Sequence, residues 1–403
     1  MHRVIVILGF LVCTFNATGQ TTPQVRADLS PVLISAQEAL QNKQFPLALG
    51  KLATARALPQ LNAQELMLID RLTVAAALSS DGQLDLAATS LKNLVASTAV
   101  PHTEKPALLE DLISTAQKQK NHAQVIQAAS QFLSLAPGKR SVLLAQAQAH
   151  YFLKNHDAAA SQIRTLVADF SLPNTPPEET LLRMWADSYK QLKNQGGYDT
   201  TLLALLTHYP KPAYWADFLT RQLQHLEPNS RYELDVYRLL RETGNLLDED
   251  DYTAMIQLAL KAGLPREALR TWDAGVASGV LGKSKNRPAT SALHGQIERK
   301  VAEDANSLAK LENEAHQSLD GNTAAQAAEL YFATEQWARA VTLYELAISK
   351  GRLRREDMTR LHLAIALKQA GLADRAKAAF EWAQFDHAAK TIGQSWVRLK
   401  TKP

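Results

Sequence analysis

The chain has 403 residues, 46% of them hydrophobic and 21% charged, which supplies a core and argues against global disorder. Its 17 glycines and 16 prolines are too few for the turns of a many-stranded sandwich or barrel, while Ala, Leu, Gln, Lys and Glu, residues that lose little on entering a helix, dominate. A formal net charge of +4, with Lys and Arg spread among Asp and Glu, leaves no basic stripe for nucleic acid or an anionic membrane surface.

The first element is an export signal over residues 1–19. Met1-His2-Arg3 is a short basic start, Val4 to Phe15 is strongly apolar, and Ala17 and Gly19 form the small-x-small pattern that precedes cleavage, here before Gln20. A bilayer span needs roughly 20 apolar residues, and this run is shorter. Cys13 would carry the lipid in a lipoprotein reading, but Val12 stands where a small residue is required. Cys13 is the sole cysteine, so the mature chain would have neither disulfide nor thiol nucleophile. The expected location is the periplasm, with no transmembrane segment after signal removal.

Residues 20–173 read as N-terminal helix pairs, four of them between 24 and 170. Small residues recur twelve apart, at Ala36 and Ala48, Ala75 and Ala87, and Ala147 and Ala159, with weaker copies centred on Val125 and Ala268. Each of the three pairs is followed one turn on by an apolar residue, Leu52, Leu91 or Ile163. Asn42-Lys43, Asp81-Gly82 and Lys154-Asn155 supply the turns between the two helices. Antiparallel helices approach closely only where both present a small side chain at the crossing, and larger neighbours then fill the grooves beside it.

The run Leu172-Pro173-Asn174-Thr175-Pro176-Pro177 breaks helix continuity, and Glu178-Glu179 suits the first turn of the next helix. Residues 174–281 form a divergent centre, expected to have longer helices and a pair built round Leu202, Leu205, Ile256 and Ala268. Gly282 to Pro288 is the most linker-like segment. In 282–320 it is followed by Ile297, Val301, Ala305, Leu308 and Ala315, spaced as one long amphipathic helix, with too few heptads to prefer a coiled coil.

The pattern is clearest in 321–403. Ala324 to Thr334 is a first helix, Glu335-Gln336 a turn, and Trp337 to Ile348 a second helix that stops before Gly351. Leu363, Ala364 and Leu367 then lie on a first helix, Gly371 in the turn, and Ala376, Phe380 and Ala383 on a second. Ala328 precedes Ala340 by twelve residues, Ala364 precedes Ala376 by twelve, and Ala340 to Ala376 is 36. Tyr331 with Tyr344, and Leu367 with Phe380, flank the two crossings.

This period, close to the roughly 34 residues of tetratricopeptide repeats, and these pairs resemble that family. A narrower resemblance, to signal-bearing proteobacterial members, rests on Ile69-Asp70-Arg71-Leu72, Tyr209-Pro210-Lys211-Pro212, Tyr214-Trp215-Ala216-Asp217 and Leu234-Asp235-Val236-Tyr237-Arg238-Leu239. It rests also on Asp250-Asp251-Tyr252 before Leu258-Ala259, on Ala262-Gly263-Leu264-Pro265, and on Ala277-Ser278-Gly279-Val280-Leu281. The resemblance covers most of the mature chain and transfers no catalytic residue. It implies an all-α fold, a right-handed α-solenoid of antiparallel helix pairs that diverges in the centre.

Motifs for chemistry are sparse. The sequence has no Gly-rich phosphate loop, no G-x-S-x-G elbow and no H-E-x-x-H. Asp248-Glu249-Asp250-Asp251 lacks the spacing and glycine of a calcium loop and reads as an acidic helix start. The eleven histidines are scattered; His150 and His156 are near in sequence but no third ligand is evident. Nor is there room or motif for the separate lysozyme-like domain of a lytic transglycosylase. No catalytic residue, metal site or cofactor is therefore expected.

The expected function is a non-catalytic interaction scaffold for another protein, one of the cell envelope, held on the solenoid surface. First helices line the concave face of such an array, which in the C-terminal units points to Ala325, Glu329, Phe332, Leu361, Ile365 and Lys368. Tyr209, Tyr214 and Trp215, stiffened by Pro210 and Pro212, form an aromatic cluster that either contacts a partner or packs the joint between two helix pairs. The alternative function is binding of an envelope glycan or small solute by stacking on that cluster.

Overall fold

The computed structural model of the protein describes residues 25–168, 176–281, 287–304, 307–382 and 387–399. The signal segment 1–19, most of the Pro-rich link, residues 282–286 of the linker, and Ala305 and Ala383 lie outside the described residues. Twenty-one helices and no strand are found among the described residues. The chain divides into two compact units, 1–201 and 202–403, each considered by itself.

The first unit opens with the pair α1 (Ser30–Gln41) and α2 (Phe45–Arg56), then α3 (Ala63–Leu78) and α4 (Leu84–Ala96). The next pairs are α5 (Lys105–Lys118) with α6 (His122–Leu135) and α7 (Arg140–Phe152) with α8 (His156–Ala168). These are the four pairs expected between 24 and 170. α9 (Glu179–Gln191) follows, and α10 (Gln195–His208) spans the boundary of the two units. From α1 to α9 each helix packs on the next, so the stacking of the first unit continues across the Pro-rich link.

The twelve-residue interval does what its sterics require. Ala36, Ala48, Ala87, Ala147 and Ala159 are fully buried, Ala75 nearly so, and Leu52, Leu91 and Ile163 fill the space beside them. The turn within each pair is a helix stop followed directly by a helix start. Lys43, Gly82, Lys120, Lys154 and Lys193 adopt left-handed backbone there. In four of the five turns the next N–H reaches back to a carbonyl of the finishing helix: Gln44 to Ala39, Asn121 to Ala116, Asn155 to His150 and Asn194 to Tyr189, at 2.8–3.0 Å. Asn121 then caps the following helix through Oδ1, which accepts from the Gln124 N–H at 3.1 Å.

In the second unit α11 (Pro212–His225) and α12 (Glu233–Glu242) precede the pair α13 (Glu249–Lys261) and α14 (Pro265–Ala277). α15 (Arg287–Asp304) and α16 (Ser307–Gln317) lead to the pairs α17 (Asn322–Ala333) with α18 (Trp337–Lys350) and α19 (Glu356–Gln369) with α20 (Ala373–Trp382), and α21 (His387–Arg398) closes the order. Ala328, Ala340, Ala364 and Ala376 are buried at their crossings, and Glu335 and Gly371 take the left-handed turn. Asp248 Oδ1 accepts from the Asp251 N–H at 2.9 Å, so the acidic run is a helix cap.

Two expectations are corrected. Helices of the centre are 10–14 residues long, no longer than the 12–16 of the N-terminal pairs, since each must match the span of its neighbour. Ile256 and Ala268 do pair, on α13 and α14, but Leu202 and Leu205 belong to α10 and not to that pair. α15 and α16 carry the stretch expected as one long helix, with Ala305 and Asn306 between them outside the described residues, and α16 packs on α17 as the neighbour of the next pair.

Candidate functional site

Among the described residues, the densest cluster of buried charge lies inside the second unit. On α12, Asp235 and Arg238 stand three residues apart and so share one helix face, and both are almost completely buried. Leu234, Val236, Leu239 and Leu240 are buried as well, so this short helix is enclosed on nearly every side. Three other elements close on its charged face: α14 with Glu267, α17 with Glu329 and Phe332, and α19 with His362.

The Arg238 guanidinium grips Glu267 with two parallel bonds, Nε to Oε1 at 2.9 Å and Nη2 to Oε2 at 2.6 Å. Its third arm, Nη1, donates to Asp235 Oδ1 at 2.8 Å. The same Oδ1 accepts from His362 Nε2 at 2.9 Å, a contact across 127 residues of sequence. On its other side His362 Nδ1 bonds Glu329 Oε1, which also accepts from the Tyr344 hydroxyl at 2.8 Å. Phe332 lies against both cations: its ring stacks on His362 at 5.1 Å, and the Arg238 guanidinium sits 4.8 Å from its centroid.

These contacts fix the charges. Burial alone would push His362 down, but Asp235 and Glu329 on its two nitrogens outweigh it and raise it to about 10. With both nitrogens held by carboxylates, the ring is an imidazolium that donates twice. Burial would raise Asp235 and Glu267, yet the neighbouring His362 and Arg238 cations hold both below the ordinary carboxylate range. Arg238 is held above its usual value, since the attraction of Glu267 outweighs its burial. Burial, with Glu329 beside it, keeps the Tyr344 phenol protonated. Asp235, Glu267, Arg238 and His362 are thus each held in the charged form by an opposite charge, which suits a clasp better than a catalytic acid or base.

Outside the clasp, Tyr232 at the start of α12 donates to Asp357 Oδ2 at 2.6 Å, and Arg231 pairs with the same carboxylate. α12 is therefore bound at its N-terminus to α19 and along its length to α14, α17 and α19.

The residues expected to face a groove are spread by this arrangement. Glu329 and Phe332 join the clasp. Leu361 and Ile365 are wholly buried on α19, so their side chains present no surface to a partner; the expectation of an open groove at these two residues is corrected, and α21 is among the helices packed on α19. Gly393 of α21 comes close enough that a Cβ there would sit 3.6 Å from Leu361. Lys368 Nζ donates to the carbonyls of Trp396, Val397 and Leu399 and so caps the end of α21. Trp215 is buried on α11 beside Phe218 and Leu219, while Tyr209 and Tyr214 are half-buried, so the indole offers no open stacking face. Asp235, Arg238, Glu267 and His362 were not singled out by sequence. The available signal was charge at apolar positions: Asp235 and Arg238 interrupt Leu234, Val236 and Leu239, and His362 sits between Leu361 and Leu363.

Paired antiparallel helices, small residues twelve apart and a left-handed turn between them decide the fold. The chain is built of tetratricopeptide-type helix pairs. No family model matches it, and no curated protein does. Among solved structures it is similar to a tetratricopeptide repeat protein from Parabacteroides merdae, at 16% identity over 76% of this chain and 98% of that one, with a TM-score of 0.30. It is also similar to Naa15/Naa10 bound to HypK-THB, at 13% identity over 88% and 68% of the two chains with a TM-score of 0.25. A third likeness is to the tetratricopeptide domain of P58(IPK), at 13% identity over 89% and 100%, with a TM-score of 0.22. Among the described residues of this tetratricopeptide-type chain, no cluster of His, Cys, Asp and Glu could hold a metal, and no helix is long and apolar enough to cross a membrane.

Proposed function

We propose that this tetratricopeptide-type chain is a non-catalytic scaffold, exported to the periplasm by residues 1–19, that holds a segment of an envelope protein on its helix-pair faces. One observation carries the reading: the second unit already seats a helix, α12, against α14, α17 and α19 by charged anchors, so these faces are suited to hold a helix. The first unit supports it with exposed Phe152, Leu153 and Leu192, large apolar groups at the ends of the first helices α7 and α9. A segment of a partner would cover them.

Affinity capture from an envelope fraction tests the reading. The expected result is one stoichiometric protein partner, lost when Phe152→Glu and Leu192→Glu are combined in a chain that still folds. Capture of no partner by the wild-type chain, or equal capture by the double variant, would count against it. Export is read separately, from the N-terminal residue of the mature protein, which should be Gln20.

A further inference from the structure

A cavity of about 470 Å³ in the first unit lies between α4, α5 and α6, the second helix of one pair and both helices of the next. Its wall carries Lys92 of α4, Lys105 at the start of α5 and His102 just before it, and no carboxylate. Lys92 and His102 are exposed and Lys105 is half-buried, so all three can be reached by a molecule in the cavity. Among the described residues, none of these three side chains has a hydrogen bond or an ion pair. The rest of the wall is largely apolar: Val95, Ala96 and Leu135 keep accessible surface on it, with the buried Leu109 and Leu112 behind them.

Two other pockets lie between helices of the same kind, and each balances its cations. At α2, α3 and α4, Arg56 pairs with Asp70, and both line the pocket. At α18, α19 and α20 of the second unit, Arg375 pairs with Glu345, both in the lining, and Arg360 pairs with Glu356 at 2.6 Å. The cavity at α5 keeps the apolar groove of such a junction and leaves its basic groups without a counter-ion from the chain. Lysines gathered at one place repel one another and draw an anion to the same place. A cation is turned away there, and a neutral apolar molecule gains nothing from the lysines. A molecule with an anionic head and one apolar chain satisfies both parts of the wall.

We propose that this cavity binds a single-chain anionic amphiphile, a carboxylate or phosphate head on an alkyl chain. Lys92, Lys105 and His102 hold the head, and the chain lies against Val95, Ala96 and Leu135. None of these residues is among those offered to a protein partner above, so the site goes beyond the scaffold reading and stands or falls without it.

Calorimetry on the full chain tests it with octanoate and octyl phosphate as the two candidate head groups, and with octanol and butyrate as probes lacking the charge or most of the chain. At least one of the two anions should bind with a Kd below about 1 mM, and the tighter of the two names the head. Octanol and butyrate should each bind at least about tenfold more weakly. Lys92→Gln and Lys105→Gln should each weaken the better anion about tenfold. Gln131→Trp, at an exposed position of α6 that lines the cavity, fills it and should remove binding. All three variants should keep the helical circular-dichroism signal of the wild type, which separates loss of the site from loss of the fold. The proposal is overturned if neither anion binds, if octanol or butyrate binds as well as the better anion, or if either lysine variant or Gln131→Trp leaves the affinity unchanged.

Discussion

The two units use one building rule and two kinds of glue. In the first, neighbouring helices meet through alanines and aliphatic residues, and each ion pair keeps at least one partner partly exposed, as between Arg71 and Glu104 at 2.5 Å or between the buried Asp70 and Arg56. Every such link bridges elements near in sequence. In the second, buried charges join residues as distant as Asp235 and His362. A unit stitched by neighbours can lose one link locally. A unit closed by a charged clasp loses α12, α14, α17 and α19 together, because each ion left behind is buried without its partner.

The sharpest test of that contrast is pH. His362 is raised to about 10 in the folded unit against 6.5 unfolded. Its contribution is then fully present below about pH 6.5 and is lost as pH rises through 10, on the order of 5 kcal/mol in all. Asp235 and Glu267 are lowered, so their part is present above the unfolded carboxylate range and lost as pH falls through their folded values. Urea unfolding followed at Trp337, which packs on Phe332 of the clasp at 5.2 Å, should show a midpoint that falls steeply between pH 6.5 and 10. Unfolding of the first unit, followed at Trp185, should change little there. His362→Gln should flatten the second unit's alkaline limb; a limb that persists in this variant would break the contrast.

Next in size is the removal of one ion. Arg238→Met strips the buried Glu267 of both its hydrogen bonds and leaves Asp235 to His362 alone, and should cost about 3–5 kcal/mol in the second unit. Arg71→Met in the first unit breaks a pair with Glu104, whose side chain is 45% exposed, and should cost under about 1 kcal/mol. Equal losses in chemical denaturation would remove the distinction between the units.

The same contrast explains what the sequence disclosed. Helix pairs were legible because their rule is local: the crossing alanines lie twelve residues apart and the turn falls between them, so Ala328 with Ala340 is visible within one window. The acidic cap at Asp248 was legible for the same reason. The clasp was not, because Asp235, Glu267, Glu329 and His362 come from four helices whose meeting depends on the path of α12 through the unit. The groove expectation failed on this point. Leu361 and Ile365 have the apolar character of a binding face, and nothing near them in sequence announces that they are buried, with α21 packed on their helix.

Crowding at the crossings should act alike in both units and so provides a control. Ala48→Leu and Ala340→Leu each force a larger side chain between fully buried backbones and should cost about 1–3 kcal/mol. A cost confined to one unit would mean that the shared building rule is not shared.

The smallest effect concerns the turns, and its sign is opposite. Lys154 holds φ +61°, a left-handed conformation that costs an L-residue with a side chain about 1–2 kcal/mol and that glycine adopts freely. Its N–H and that of Asn155 return to the end of α7 at 2.9 Å, and both bonds use the main chain alone. Lys154→Gly therefore keeps every bond of the turn and relieves its strain, at the cost of a more flexible unfolded chain. The net expectation is a gain of about 0.5–1 kcal/mol in the first unit, and Glu335→Gly tests the equivalent turn of the second. There the substitution also removes a carboxylate 3.2 Å from Arg270 and 3.6 Å from Arg241, the arginine that flanks Glu267. The gain at residue 335 should fall short of that at residue 154, because in the second unit even a turn residue is tied to the clasp.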